Sequence, residues 1–350
     1  MVLLLKIQFF VLMKRRLPAE WEPQSAIQFT FPHADSDWAD ALDEVIPCFV
    51  ACIETVSRFE KVLVICRRRA EAGMLLKNAV QKNLILVECP SNDTWARDHG
   101  AITVEENGQP ALLDFMFTGW GLKFPAFHDN LITGRLHEQG VFGRLPLRRP
   151  GLVLEGGGIE TDGRGTLLTT SECLLSPNRN PHLSQPELEA KLTEWLGTNH
   201  FLWLHHGYLA GDDTDSHIDT LARLCPEDVI AYVCCDDPND EHYPALQAME
   251  AELRSFRTRE GKPFTLTPLP WPDACYAADG HRLPATYANF LVVNGAVLMP
   301  TYGAPQDEAA LAAIAPCFPE RQVIGINCRA LIEQHGSLHC ISMQYPEGVL

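Results

Sequence analysis

The sequence predicts an α/β fold, and three observations carry that reading. Segments of helical and of extended hydrophobic periodicity alternate along the chain, short apolar runs come in pairs, and Pro and Gly fall singly or in pairs between segments instead of gathering into a linker. In chain order, Trp38, Leu42, Val45, Ile46, Phe49 and Ile53 form the first helical stripe. β-Rich runs follow at Val62–Cys66 and Leu84–Glu88. Ala101–Val104 with Ala111–Phe115 reads as a hairpin pair, and so does Leu152–Glu155 with Thr166–Thr169. The next helix has the clearest bounds: Ser184 and Glu187 make a capping box, Leu188, Leu192 and Trp195 share a face, and Gly197 ends it. Phe201–Leu204 is extended, Leu246, Met249, Leu253 and Phe256 give another helical face, and Phe264–Leu269 is extended again. Ala288–Val293 with Ala296–Met299 is the last pair, and Val323–Ile326 the last strand-like run. These modules share pattern and not identity, so pattern alone leaves an ordinary doubly wound sheet open beside a repeat architecture.

At 350 residues and 46% hydrophobic content the chain can bury a substantial core, and the lack of a linker favours one domain spanning 13–350. Met13 opens the phrase Met-Lys-Arg-Arg-Leu-Pro, so residues 1–12 read as an extension ahead of the true start. The apolar run Val2–Met13 is too short to span a bilayer, and its positive charges follow it instead of preceding it, so neither a secretory signal nor a membrane partner is expected. A net charge of -17 argues against nucleic-acid binding, which needs clustered Lys and Arg. The 12 cysteines are scattered, with no repeated CxxC pairs, so reduced thiols and a cytoplasmic location are expected.

Four segments can carry chemistry. Asn92–Gly100 follows a strand and places Asp93 and Asp98 in a loop; on residues alone the plainer reading is that Asp93 caps a turn and Asp98 pairs with an Arg. Leu154–Glu160 ends an apolar run in Glu155 and three glycines, which matches neither a dinucleotide fingerprint nor a P-loop. Gly211–Thr220 surrounds His217 with carboxylates, and an extended backbone there would point His217 and Asp219 to one side. A metal site using His205, His206, His217 and nearby aspartates is the rival, but no ligand spacing supports it. Gly336–Gln344 leads from a turn into a strand-like run with Cys340 at its start; alone, such a cysteine is more often a small buried hydrophobe.

Taken in order, these segments resemble the signature of agmatine deiminases and the related bacterial peptidylarginine deiminases, and the resemblance spans most of the chain. Leu17–Pro23 and Tyr287–Phe290 are similar to further stretches of that family. The resemblance implies the pentein fold, a five-bladed α/β propeller with pseudo-fivefold symmetry whose loops converge on a central cavity. It makes Cys340 the nucleophile, His217 the general acid and base, Asp98 and Asp219 the guanidinium-binding carboxylates, and Glu155 the partner of substrate and histidine. Asp93, Trp95, Arg97 and Asn289 are expected to contact substrate. Two departures bear on substrate identity: His99 stands where plant-type members carry Thr, and Gln334-His335-Gly336 replaces a longer glycine run.

The implied reaction is hydrolysis of a small cationic guanidino compound, agmatine first and peptidylarginine second, to a ureido product and ammonia. A planar cation needs carboxylates to orient it, and its unreactive carbon needs a thiolate to attack it. No metal or organic cofactor is required; the sequence leaves the oligomeric state open, and a homodimer would be in keeping with the family. An amidinotransferase and a non-catalytic binding pentein are the rivals; ammonia release and a reactive cysteine separate them from a deiminase.

Overall fold

The computed structural model of the protein describes residues 14–350. The proposed extension at residues 1–12, with Met13, lies outside the described residues. One pattern recurs five times: an antiparallel strand pair, then a crossover through a helix to a third strand parallel to the second. It appears in Ile102–Glu106, Gln109–Leu113 and Leu147–Arg148, and again in Ile159–Thr161, Thr166–Thr170 and His200–Leu204. Ala222–Cys225, Val229–Val233 and Thr265–Leu269 make the next unit, and Leu291–Val293, Ala296–Thr301 and Gln322–Asn327 the one after. In the fifth unit Ser342–Pro346 pairs antiparallel with Gln24–Thr30, which runs parallel to Lys61–Cys66 and, beyond it, Leu84–Glu88. That pairing links the two ends of the described chain in one sheet. A small two-stranded pair, Cys275–Tyr276 with Arg282–Leu283, stands apart from the repeat.

The crossover helices bury one face each. Leu42–Val56 buries Val45, Phe49 and Ile53 of the predicted stripe together with Cys48, Cys52 and Val56, while Leu42 and Ile46 of that stripe are half-buried. Trp38 belongs to the turns before it and Phe256 caps the end of Tyr243–Ser255, so both leave the helical stripes assigned to them while staying at least half-buried. The capping box at Ser184 forms, and Gly197 closes Gln185–Leu196 at φ 73°. Such a cap contributes about 1 kcal/mol. Among the described residues, no helix is long and apolar enough to cross a membrane.

Three local expectations are corrected. Leu152–Glu155 is not a strand of the second unit: Asn180 takes both backbone groups of Val153, at 3.1 and 2.8 Å, leaving Ile159–Thr161 to pair with Thr166–Thr170. His217 and Asp219 are not on extended backbone, because Ile218–Thr220 winds into a single 3₁₀ turn. Cys340 also precedes its strand, which starts at Ser342.

Candidate active site

Every unit ends a turn just ahead of its first strand, and each of those turns carries part of one cluster. Cys340 precedes Ser342–Pro346, Asp98 lies in the one-turn helix Ala96–His99 before Ile102–Glu106, and Glu155 with Gly156–Gly158 leads into Ile159–Thr161. His217 and Asp219 lead into Ala222–Cys225, and Asn289 into Leu291–Val293. Five positions equivalent in the repeat therefore deliver their side chains to one centre.

Cys340 is buried, and Asn289 fixes it from two sides. The Asn289 amide donates from Nδ2 to Sγ at 3.2 Å, while its Oδ1 accepts from the backbone N–H groups of His339 at 2.8 Å and Cys340 at 3.3 Å. Asp219 Oδ2 stands 3.9 Å from the sulfur and bonds His339 Nδ1 at 2.7 Å. Burial, with Asp219 and Asp98 adding to it, pushes the Cys340 thiol well above its ordinary range.

Asp98 is held by two donors, Trp120 Nε1 to Oδ2 at 3.0 Å and the Gly157 N–H to Oδ1 at 3.0 Å. Burial raises its pKa despite His217 nearby. The His217 ring lies between two carboxylates, with Nδ1 3.7 Å from Asp98 Oδ1 and Nε2 3.8 Å from Glu155 Oε2. Burial opposes the charged ring, but Asp98, then Cys173 and Glu155, outweigh it and hold the imidazole well above the usual histidine value. Glu155 is itself gripped by Arg179 Nε at 2.7 Å; burial notwithstanding, His217 and Arg179 keep this carboxyl below its ordinary range. Gly157 marks the crossing point: a Cβ there would sit 2.5 Å from His217 Nδ1, 2.9 Å from Asp98 Oδ1 and 3.2 Å from Asp219 Oδ2.

Behind Asp219 runs a buried charge network. His339 Nε2 meets Glu20 Oε2 at 2.8 Å, and Arg223 Nη2 reaches the same oxygen at 2.6 Å. Arg223 also pairs with Glu160 and stacks its guanidinium 4.5 Å above the Phe290 ring. Burial works against ionised Asp219, yet its bond to His339 wins and its pKa falls. Two carboxylates facing one sulfur are thus tuned in opposite directions.

A cavity of about 380 Å³, mouth included, opens beside Cys340. Asp98 lies in its wall with Trp95, Trp120 and Phe124, and Asp37, Asp93 and Asp213 ring it with acid. Burial pushes both Asp93 and Asp213 up to about 6. Asp93 also accepts its turn's Thr94 N–H at 2.8 Å and the Trp38 indole at 3.1 Å, as the plainer capping reading expects. The companion expectation, Asp98 paired with an Arg, fails because its oxygens are taken by Trp120 and Gly157.

Arg97 does not face this cavity. Successive residues of a helical turn point roughly 100° apart, so turning Asp98 toward Cys340 sends Arg97 to the far side. There its Nε lies 3.4 Å from the His339 carbonyl, Nη1 pairs with Gln344, and the side chain lines a separate cavity with Glu20 and Glu160. His205 and His206 are likewise remote from the centre: both are exposed, bonded to Ser171 and Glu252. Trp120, Arg179, Glu20, Arg223 and Asp213 were not singled out by sequence reasoning. Trp120 had one local signal, since glycines flank it on both sides; Gly119, Trp120 and Gly121 all adopt left-handed backbone, at φ 66°, 53° and 81°.

The comparisons agree with this architecture. A C. jejuni agmatine deiminase solved with substrate bound is 38% identical, with a TM-score of 0.90 over 96% of this chain and 97% of that one. A Porphyromonas gingivalis structure, provisionally assigned as an arginine deiminase, is 52% identical, with a TM-score of 0.92 over 96% of this chain and 100% of that one. The agmatine deiminase of Ectopseudomonas mendocina is 33% identical over 94% of this chain and 95% of its own length. The fold is the pentein propeller, its five blades being the five repeated units described above. With residues 16–346 matching the model of the Porphyromonas-type peptidyl-arginine deiminases, the chain belongs to that family.

Proposed function

We propose that this protein is a guanidino-group deiminase acting on agmatine, with Cys340 as nucleophile. The observation that carries the proposal is the meeting of Asp98, His217 and Asp219 around Gly157, with Cys340 beside Asp219, from four distant stretches of chain. Asp98 and Asp219 orient the planar guanidinium by accepting its N–H groups, which places the central carbon in front of Sγ. The thiolate adds to that carbon. As the tetrahedral adduct collapses, the C–N bond breaks and His217 gives the departing amine its proton, leaving ammonia and a thiouronium bound to Cys340. His217 then takes a proton from water, whose oxygen attacks the same carbon and expels the thiolate. The products are N-carbamoylputrescine and ammonia. The donor set around Cys340 supplies this chemistry without a cofactor.

The cavity supports agmatine over free arginine. Agmatine carries a second cation at its far end, and Asp37, Asp93 and Asp213 stand where a cation is favoured. Arginine brings a carboxylate, and among the described residues no Lys or Arg lines this cavity to receive it. Its acidic rim would repel that group. The other outcome is a peptidylarginine substrate, whose flanking amides are neutral.

The test is a panel of agmatine, arginine, an arginyl peptide and a methylated arginine, scored for ammonia and ureido product with wild type and Cys340→Ala. Agmatine is expected to have the highest kcat/KM and Cys340→Ala to release no ureido product while keeping its melting transition. Turnover by Cys340→Ala refutes the nucleophile, and arginine ranking above agmatine refutes the substrate.

A further inference from the structure

Cys173 takes no part in the chemistry above, yet it is fully buried beside the ring of His217. Its sulfur, a His217 ring nitrogen and a Glu155 carboxylate oxygen all lie within 4.8 Å of one another. A Cβ on Gly158 would come 3.0 Å from Cys173 Sγ and 3.9 Å from His217 Cδ2, so the two side chains share one wall. Neither nitrogen of His217 nor Oε1 of Glu155 has a hydrogen-bond partner, although all are buried. Unsatisfied ligand atoms are therefore gathered beside a thiol. We propose that Glu155, Cys173 and His217 form an inhibitory zinc(II) site that takes His217 out of proton transfer.

Thiolate, imidazole and carboxylate together make a zinc donor set. Tetrahedral bonds of about 2.0–2.3 Å separate neighbouring ligand atoms by roughly 3.4–3.6 Å. His217 Nε2 stands 3.8 Å from Glu155 Oε2, which keeps its bond to Arg179, so the unpartnered Oε1 of the same carboxylate is the oxygen left to ligate. Charge closes. The thiolate and Glu155 balance the dication, while Arg179, the cation on Glu155, is already matched by Asp215 at 2.6 Å. Binding forms Zn–S, Zn–N and Zn–O bonds and releases the Cys173 thiol proton to solvent, with the ring proton of His217 where Nε2 or Nδ1 must ligate. A second grouping, Glu20, Glu160 and His339, is equally close, but Arg223 fills it from 2.6 and 3.0 Å and excludes a metal.

The inhibitory consequence rests on His217 being the proton shuttle, whereas the ligation does not, and the experiment separates them. Cobalt(II), a spectroscopic stand-in for zinc, is added to full-length wild type, Cys340→Ala, Cys173→Ala and Cys173→Ser, and the thiolate-to-cobalt charge-transfer absorption is recorded. The band is expected in wild type and Cys340→Ala and absent from both Cys173 variants. A band that disappears with Cys340, persists without Cys173, or never forms overturns the site. Zinc is then titrated against turnover, each protein referred to its own uninhibited rate. Losing an outer partner of a metal site costs ~10–100-fold in affinity, so losing the Cys173 ligand is expected to raise the half-inhibiting zinc concentration at least about tenfold. An unchanged concentration overturns the inhibitory role. If the deiminase reading itself fails, no turnover exists to inhibit, yet the band still follows Cys173.

Discussion

Replacing Gly157 by Ala tests the geometry of the centre without removing any group that reacts. The backbone of Gly157 is not in the left-handed region, so alanine fits the main chain, and the N–H that holds Asp98 is kept. The added methyl is another matter, since it would lie 2.5 Å from His217 Nδ1 and 2.9 Å from Asp98 Oδ1. Nonbonded carbon contacts settle near ~3.5 Å, so the imidazole must retreat by about 1 Å. Displacement of that size costs about 10²-fold in rate, or about 2.7 kcal/mol of transition-state stabilisation. Overpacking should also cost about 1–3 kcal/mol of stability. Steady-state release of ureido product from agmatine measures kcat and KM separately: the displaced His217 lowers kcat, and the displaced Asp98 raises KM. A Gly157→Ala enzyme within about threefold of wild-type kcat/KM would mean that these groups do not converge on this residue, and the proposed mechanism would lose its basis.

His217→Ala is expected to lower kcat by ~10²–10⁴-fold with the far-ultraviolet circular dichroism unchanged; a near-normal rate removes it from proton transfer. Asp93, at about 6 in the folded protein against 3.8 for the free group, gives a pH signature of known sign. Unfolded Asp93 loses its proton first, so its contribution to stability falls as pH rises from about 4 to about 6 and is constant above. Substrate attraction moves the other way, because only the ionised carboxylates of Asp93 and Asp213 draw the far ammonium. KM for agmatine should therefore climb as pH drops below about 6, and Asp93→Asn should raise KM at pH 8 and shrink that climb; a flat profile in wild type contradicts the role. Arg223→Met strands Glu20 and Glu160 without their countercharge and should destabilise by about 3–5 kcal/mol, read as a lower denaturant midpoint. An unchanged midpoint would show that the network is not held by Arg223.

The helix and strand segments were legible because burial imposes periods that survive without identity: the Phe49 stripe, the Ser184 capping box and the run Leu84–Glu88 all form as read. The glycine run was less legible. Leu152–Glu155 has the apolar pattern of a strand, but a side chain twenty-odd residues on, Asn180, takes the hydrogen bonds that a neighbouring strand would have taken. Arg97 and Asp98 illustrate a second limit, since adjacency in sequence says nothing of direction once the pair lies in a helical turn. Glu20 and Arg223 illustrate a third: neither is near the other in sequence, and their meeting depends on the closure of the propeller. His217 and Asp219 were paired on the premise of extended backbone. The 3₁₀ turn brings both beside Gly157 nonetheless, so their proximity has a different cause.

The free site is set against its own nucleophile. Burial and the Asp219 and Asp98 carboxylates keep Cys340 as a thiol, and the two opposing groups, the Ser337 backbone and the Asn289 amide, do not outweigh them. A guanidinium seated between Asp98 and Asp219 cancels the two negative charges and adds its own positive field within reach of Sγ, so the same ion that is attacked also favours the thiolate. Activation is then confined to the occupied site, which protects a buried thiol from adventitious oxidation and alkylation between turnovers. The reverse holds after hydrolysis. A ureido group is neutral, the carboxylates again oppose the thiolate, and sulfur takes back a proton as the product leaves. Carboxylates that appear to hinder the nucleophile thus make its reactivity conditional on a cation, and a neutral isostere of agmatine in the same cavity would leave Cys340 as unreactive as in the empty one.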